Sequence, residues 1–304
     1  MSLALFSGIP SFDFMGKRWV GFGVSIALTV LSLFLLFTKG LNYGIDFTSG
    51  VLMEIRSEKP VDLAPLRSEL GKQGFGEVSL QDMGDVHNVL IRIQVAEDAD
   101  TTQVVATVKE VLNTVVGGTI DYRKTESVGP AVGDELIEAG VLAVIFSFAA
   151  IMIYVWFRFE WQYGFGAILA LAHDTIMILG FFAFTQLDFG LPAVAAILTI
   201  IGYSINDSVV IYDRIRENMR RFKKMNVMEL LNRSINETLS RTIVTALTTF
   251  LSAIALVMFG GQVLLAFSAA IAVGVFVGTY SSIYIAAPAL YYLNIRNSLQ
   301  EQVA

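Results

Sequence analysis

The sequence predicts a polytopic α-helical membrane protein with one α+β domain inserted after the first of six spans. Three observations predict it. The 304 residues are 55% apolar and only 16% charged, with a mean hydropathy of +0.63, too apolar for an ordinary soluble domain. The apolar residues gather into runs of the length that crosses a hydrocarbon core. Between the first two runs, residues 39–133 change to the mixed, alternating pattern of a water-soluble unit.

The first 18 residues, ending Met15-Gly16-Lys17-Arg18, hold no usable period. Residues 19–38 then carry no charge. Lys17 and Arg18 resemble the charged front of a signal peptide. The run is too long for a signal-peptide core, however, and no small-x-small site closes it, so an uncleaved signal-anchor helix is expected.

Within residues 39–133, Val51 to Arg56 alternates and reads as a strand. Asp62 to Gln73 has helical spacing (Leu63, Leu66, Leu70), with Asp62 as N-cap and Pro65 in the first turn, where proline is tolerated. Glu77 to Asp82 and His87 to Val95 read as strands around the turn Met83-Gly84-Asp85. Asp100 to Val116 is helical and closed by Gly117-Gly118, and Thr119 to Thr125 is a last strand. The order strand-helix-strand-strand-helix-strand is that of a ferredoxin-like split unit.

The remaining spans are read at Leu136–Phe157, Gly164–Thr185, Leu191–Tyr212, Ile243–Phe259 and Val263–Leu293, the last broken by Pro288. Their connections are short except for the charge-rich stretch 213–242, which holds a helix-like segment and is taken as an inner loop over 213–241. Twelve Lys and Arg lie on the proposed inner side: Lys17, Arg18, Arg158, eight from Arg214 to Arg241, and Arg296. The other nine share residues 39–133 with fourteen Asp and Glu. Short loops decide orientation, so both termini (1–18 and 296–304) are expected in the cytoplasm and the α+β domain outside.

Few ionisable residues fall inside the spans. Asp207 lies in the inner half of span four, where a carboxylate costs about 3 kcal/mol even on lenient scales and so marks a functional candidate. Ser208 to Tyr212 continue the apolar run past it, against the alternative that span four ends early at the interface. His173 and Asp174 sit mid-span in span three, as a structural pair or as part of a proton relay. Arg241 is placed at the inner mouth of span five. Taken alone it reads as a snorkelling anchor, but at a helix start it would favour a carboxylate partner, which Asp207 could supply if spans four and five pack. Arg241, Thr245, Thr248 or Thr249, and Ser252 share one face of span five. Such hydroxyls often satisfy themselves on the preceding turn. In span six, Ala270, Gly274, Gly278 and Ser282 form a small-residue ridge for helix packing.

Other chemistry is missing. There is no phosphate loop, H-E-x-x-H or G-x-S-x-G motif, so an enzyme is not expected. Cysteine is absent, and His87 and His173 are the only histidines, too few for a metal site. The basic inner residues Arg220, Arg221, Lys223 and Lys224 fit anionic lipid better than nucleic acid.

Four stretches carry a family resemblance: Gly44-Ile45-Asp46-Phe47-Thr48-Ser49-Gly50, Ser127 to Leu136, Tyr203 to Asn218, and Ile235 to Thr249. With six spans and one large loop after the first, the chain resembles the SecF side of the SecD/SecF family of protein-export membrane proteins, within the resistance-nodulation-division superfamily. Ser49 stands where that family usually has a second glycine, and Ala246 where a small polar residue is common. The resemblance implies partnership with SecD and the SecYEG channel, with YajC and YidC beyond them, and an unfolded polypeptide as cargo. It implies that the proton gradient, or in some members sodium, drives translocation across the bacterial cytoplasmic (inner) membrane, with no cofactor. The family's intramembrane Asp and Arg fall on Asp207 and Arg241, with His173, Asp174, Asn206 and Thr245 as candidate relay members. The rival expectation is a small-molecule or lipid exporter of the same superfamily, and a third is a scaffold whose charges serve assembly alone.

Overall fold

A computed structural model describes residues 10–95 and 100–295. The expectations for the extreme termini, residues 1–9 and 296–304, lie outside the described residues. The chain divides into two compact units, one of Tyr43–Leu142 and one of the remaining residues.

In the first unit, α2 (Ile45–Thr48) leads into β1 (Gly50–Ser57), followed by α3 (Leu63–Gly71), β2 (Val78–Asp82), β3 (Asn88–Ile93), α4 (Thr101–Val115) and β4 (Ile120–Val128). The sheet order is β2-β3-β1-β4, and every neighbouring pair is antiparallel. Strand β3 therefore splits β1 from β2, as in a split β-α-β unit. Alternation decides which face is covered: Val51, Met53 and Ile55 of β1 and Val89, Ile91 and Ile93 of β3 pack with Leu66 and Leu70 of α3 and Val104, Val108 and Leu112 of α4. Asp62 caps α3 by accepting from the Ala64 amide, and Asp100 caps α4 by accepting from Thr102. Each satisfies one of the amides that a helix start leaves unpaired.

The spans are α1 (Arg18–Thr38), α5 (Pro130–Arg158), α6 (Trp161–Thr185), α7 (Leu191–Arg221), α8 (Val227–Phe259) and a sixth made of α9 (Gly261–Ser281), a π-turn (Ser282–Ala286) and α10 (Ala287–Tyr292). Among the described residues, six helices are long and apolar enough to cross a membrane. The π-turn has a cause in the sequence. Pro288 offers no amide to the preceding turn, and just before it the Ala287 N–H reaches back to the Ser282 carbonyl, five residues away. The Tyr212 hydroxyl donates to the Ala286 carbonyl at 3.3 Å, which ties this irregular turn to α7.

The stretch 213–242 is not a loop. Helix α7 runs on to Arg221 and α8 begins at Val227, leaving only Phe222 to Asn226 between them. Charge density suggested a loop, but these charges sit at helical spacing and pair there. Glu237 accepts from Arg214 Nε at 2.7 Å, Arg233 Nε at 2.8 Å and Asn218 Nδ2 at 2.7 Å, and Asn226 caps α8 by accepting from Met228. Preceding α1, residues 12–15 lie along the same extension. Asn236 both accepts from the Phe12 amide (2.9 Å) and donates to its carbonyl (2.8 Å), while Asn232 accepts from the Phe14 amide at 2.8 Å. Met15 is fully buried in the helical core. Side-chain amides that bind a backbone leave no apolar period, so nothing in the residue pattern announces this strap.

Candidate functional site

Helix α7 buries one face because its inward residues recur at helical spacing: Ile197, Ile200, Ile201, Ser204, Asp207, Ser208 and Ile211. The same period that buries the isoleucines buries the carboxylate. Asp207 is 3% exposed, and its Oδ2 has no hydrogen-bond partner among the described residues. One turn earlier, Tyr203 directs its hydroxyl among Thr245 and Thr249 of α8 and Thr279 of α9, within reach of the Asp207 charge. Thr279 also faces Asp207. The Tyr203 and Thr279 hydroxyls close no hydrogen bond of ordinary geometry. Thr279 of α9 and Tyr203 of α7 thus stand near Asp207 with bonding capacity unspent, and the α8 threonines stand around Tyr203.

Arg241 lies close enough for its charge to act on Asp207, but no ion pair within 4.0 Å joins them. It is on the exposed side of α8. It does not begin that helix: α8 starts at Val227, so the helix-dipole reason for an Arg241 partner fails. Its relation to Asp207 is simple Coulomb attraction between two packed helices. The hydroxyl stripe of α8 is largely self-satisfied. Thr245 donates to the Arg241 carbonyl at 3.1 Å, Thr248 to Val244, Thr249 to Thr245 and Ser252 to Thr248, each at 3.0 Å. As acceptors these oxygens remain open, which is how Tyr203 meets Thr245 and Thr249. Asn206, by contrast, lies on the exposed side of α7.

Asp174 has the opposite character. It is 0% exposed and its oxygens are occupied: Ser204 Oγ of α7 donates to Oδ2 at 2.6 Å, Ser281 Oγ of α9 donates to the same oxygen at 2.8 Å, and His173 Nδ1 stands 3.0 Å from Oδ1. The other imidazole nitrogen, His173 Nε2, is buried without a partner among the described residues. The approach of α9 to α7 that makes this possible rests on glycine. A Cβ on Gly274 would meet Ile200 Cδ1 at 2.4 Å, and one on Gly278 would meet Ser204 Cβ at 3.1 Å.

Comparison with known proteins places these residues in a family. Residues 107–296 match the family described as protein export membrane protein SecD/SecF, C-terminal, and residues 34–61 match the SecD/SecF GG motif. Over 279 residues the chain is 49% identical to protein translocase subunit SecF of Rickettsia rickettsii (strain Sheila Smith), covering 92% of this chain and 91% of that protein. The chain belongs to the SecD/SecF family. Its similarity to protein translocase subunit SecF of Rickettsia bellii (strain OSU 85-389) is 48% identity, covering 92% of each. The crystal structure of SecDF, a translocon-associated membrane protein from Thermus thermophilus, superposes with a TM-score of 0.84 at 39% identity, over 97% of this chain and 40% of that one. SecDF in its super-membrane-facing form gives a TM-score of 0.70 at 38% identity, over 98% of this chain and 41% of that one. This chain therefore spans about two fifths of the SecDF chains it matches.

Within the SecD/SecF GG motif, Ser49 has φ 60° and ψ 152°, a backbone region that glycine occupies almost alone. The side chain finds room because a Cβ on Gly133 would fall 2.7 Å from Ser49 Oγ, where Gly133 has none. Gly50 has φ 140°, and a Cβ there would lie 2.1 Å from the Ile93 carbonyl oxygen. The motif thus lets β1 start hard against β3.

The structure brings Asp207, Tyr203, Thr245 and Thr279 together, places Arg241 at a distance, and leaves Asn206 apart. Tyr203, Thr279, Ser204 and Ser281 were missed as site residues. All four are hydroxyls with no charge to mark them. The available signal was spacing: Tyr203 and Ser204 precede Asp207 by four and three residues, which puts them on its face.

Proposed function

We propose that this chain is the SecF half of a SecD–SecF complex. The complex uses the proton gradient across the bacterial cytoplasmic membrane to promote protein translocation through the SecYEG channel. Asp207 is the residue that takes up and releases the proton. The observation that carries this reading is the buried Asp207 Oδ2, without a partner among the described residues, with Thr279 of α9 facing the carboxylate and the Tyr203 hydroxyl within reach of its charge.

A carboxylate in a low-dielectric site is costly when charged. Arg241 cannot give up its own proton, so it acts as a fixed charge that favours ionised Asp207 and loses its hold when Asp207 is neutral. Protonation of Asp207 cancels that attraction and leaves α7 and α8 free to shift. The Tyr203, Thr245 and Thr279 oxygens offer the protonated carboxyl new partners on α7, α8 and α9. In this reading both termini and the ends of α7 and α8 that carry the Glu237 network lie in the cytoplasm, and the α+β unit lies outside, where cargo emerges. Partnership with SecD follows from the SecDF structures, whose chains are longer than this one; YajC and YidC remain further candidates.

The test is gradient-dependent export in cells relying on this chain. Asp207→Asn and Arg241→Met are each expected to abolish the gradient-dependent component while the complex with SecD still co-purifies. Normal export in either variant contradicts the proposal. Dependence on a sodium gradient in place of a proton gradient would change the ion and keep the site.

A further inference from the structure

We propose that Asp174 is a positioning residue, a three-helix clasp that sets how Asp207 faces α9, and not a member of a proton relay. The inference rests on the reading of Asp207 given above. Its observation is different: the Asp174 carboxylate is wholly buried and engaged from α7 by Ser204, from α9 by Ser281 and from its own helix by His173.

A relay member needs a path by which a proton arrives and leaves. Both bonds at Oδ2 come from serine hydroxyls that donate toward it. Ser281 also lies 3.1 Å from the Gly278 carbonyl of its own helix. The groups facing Asp174 from each packed element are thus Ser204 on α7, Ser281 on α9 and His173 on α6. Of these only His173 can carry a proton, and its far nitrogen, Nε2, is buried with no partner among the described residues to pass one on.

The clasp has leverage through helical geometry. Ser204 is three residues before Asp207, on the same face of α7. Ser281 is two residues after Thr279, which faces Asp207, and stands immediately before the π-turn. Fixing Ser204 and Ser281 to one carboxylate fixes α7 against α9 at the level where Asp207 meets Thr279. Gly274 and Gly278 supply the close approach, and Asp174 supplies the register.

A relay and a clasp differ in what an amide does. In Asp174→Asn the Oδ1 oxygen, turned toward Ser204 and Ser281, still accepts from both, and the neutral His173 tautomer with a free Nδ1 accepts from Nδ2. The amide keeps the clasp and removes the proton site. Asp174→Ala removes both, whereas the double variant Ser204→Ala/Ser281→Ala removes the clasp and leaves the carboxylate in place.

The experiment measures gradient-dependent export and its pH profile for the full chain in its complex with SecD. It also measures cross-linking between cysteines introduced as Ile200→Cys and Gly274→Cys; a Cβ at position 274 would press on the Ile200 side chain across the α7–α9 seam, and Ile200→Cys trims that side chain to make room. The natural chain contains no cysteine, so these are the only thiols it contributes. The expected result is that Asp174→Asn retains cross-linking, export and the wild-type pH profile. Asp174→Ala and the double serine variant are expected to lose cross-linking efficiency and coupled export together, by about tenfold for two lost interhelical bonds. Loss of export in Asp174→Asn with cross-linking intact would overturn the proposal in favour of a proton-carrying role. Full export in Asp174→Ala would overturn it by showing no role. Asp207→Asn is run alongside: if it keeps coupled export, the reading of Asp207 fails, while the cross-linking arm still decides the clasp.

Discussion

Two carboxylates are buried in the same helical bundle, Asp174 bonded to the serine three residues before Asp207 on α7, and their surroundings are opposites. Asp174 is saturated, with two serines and a histidine on its two oxygens. Asp207 keeps an oxygen without a partner among the described residues, although Thr279 faces it and the Tyr203 hydroxyl lies within reach of its charge. A saturated carboxylate holds helices in one arrangement, because any shift breaks bonds that nothing nearby replaces. An unsaturated one, ringed by groups with open capacity, has alternative bonding patterns to choose between when its charge changes. The difference teaches where rigidity ends and switching begins: α6, α7 and α9 are pinned at Asp174, and one turn further along α7 the polar groups are free to rearrange.

The sharpest way to break this comparison is to neutralise each acid. Asp207→Asn is expected to abolish gradient-dependent export, the largest effect, and to leave thermal stability unchanged or raised, since an unpaired buried charge adds nothing to stability. Export assays and melting of the purified complex check it together. Asp174→Ala should instead lower stability by about 1–3 kcal/mol, for two interhelical hydrogen bonds lost and the Ser204 hydroxyl orphaned, while Ser281 falls back on the Gly278 carbonyl. Equal stability effects at the two sites would erase the distinction. Gly278→Ala comes next. Its Cβ would stand 3.1 Å from Ser204 Cβ, and the expected cost is about 1 kcal/mol, the low end for overpacking. Cross-linking across α7 and α9 should weaken with it. The smallest effect belongs to Ser204→Ala alone, about 0.6 kcal/mol for one hydrogen bond within a membrane protein, since Ser281 still reaches Asp174.

Much of this arrangement is legible in the sequence. The spans are marked by apolar runs of the right length. The order of elements in the α+β unit follows from its alternation and from Asp62, whose predicted cap on α3 is present. Asp207 and Asp174 stand out because charge is rare in those runs. The unread parts share a physical reason. Ser204, Ser281 and Thr279 act through hydroxyls that are as common in membrane helices for packing as for bonding. Asn232 and Asn236 hold residues 12–15 through backbone groups that any sequence supplies. Composition marks the extensions of α7 and α8 as a loop because it registers their charges and misses their pairing at Glu237. Arg241 was consequently placed at a helix start, when it is well inside α8.

The most direct test of Asp207 as the proton carrier is infrared difference spectroscopy of the complex with its SecD partner as pH is lowered. Protonation of a buried carboxylate produces a carboxylic acid C=O band. The expected result is one such band that disappears in Asp207→Asn and persists in Asp174→Asn. A band unaffected by Asp207→Asn, or one that vanishes in Asp174→Asn, would contradict the assignment.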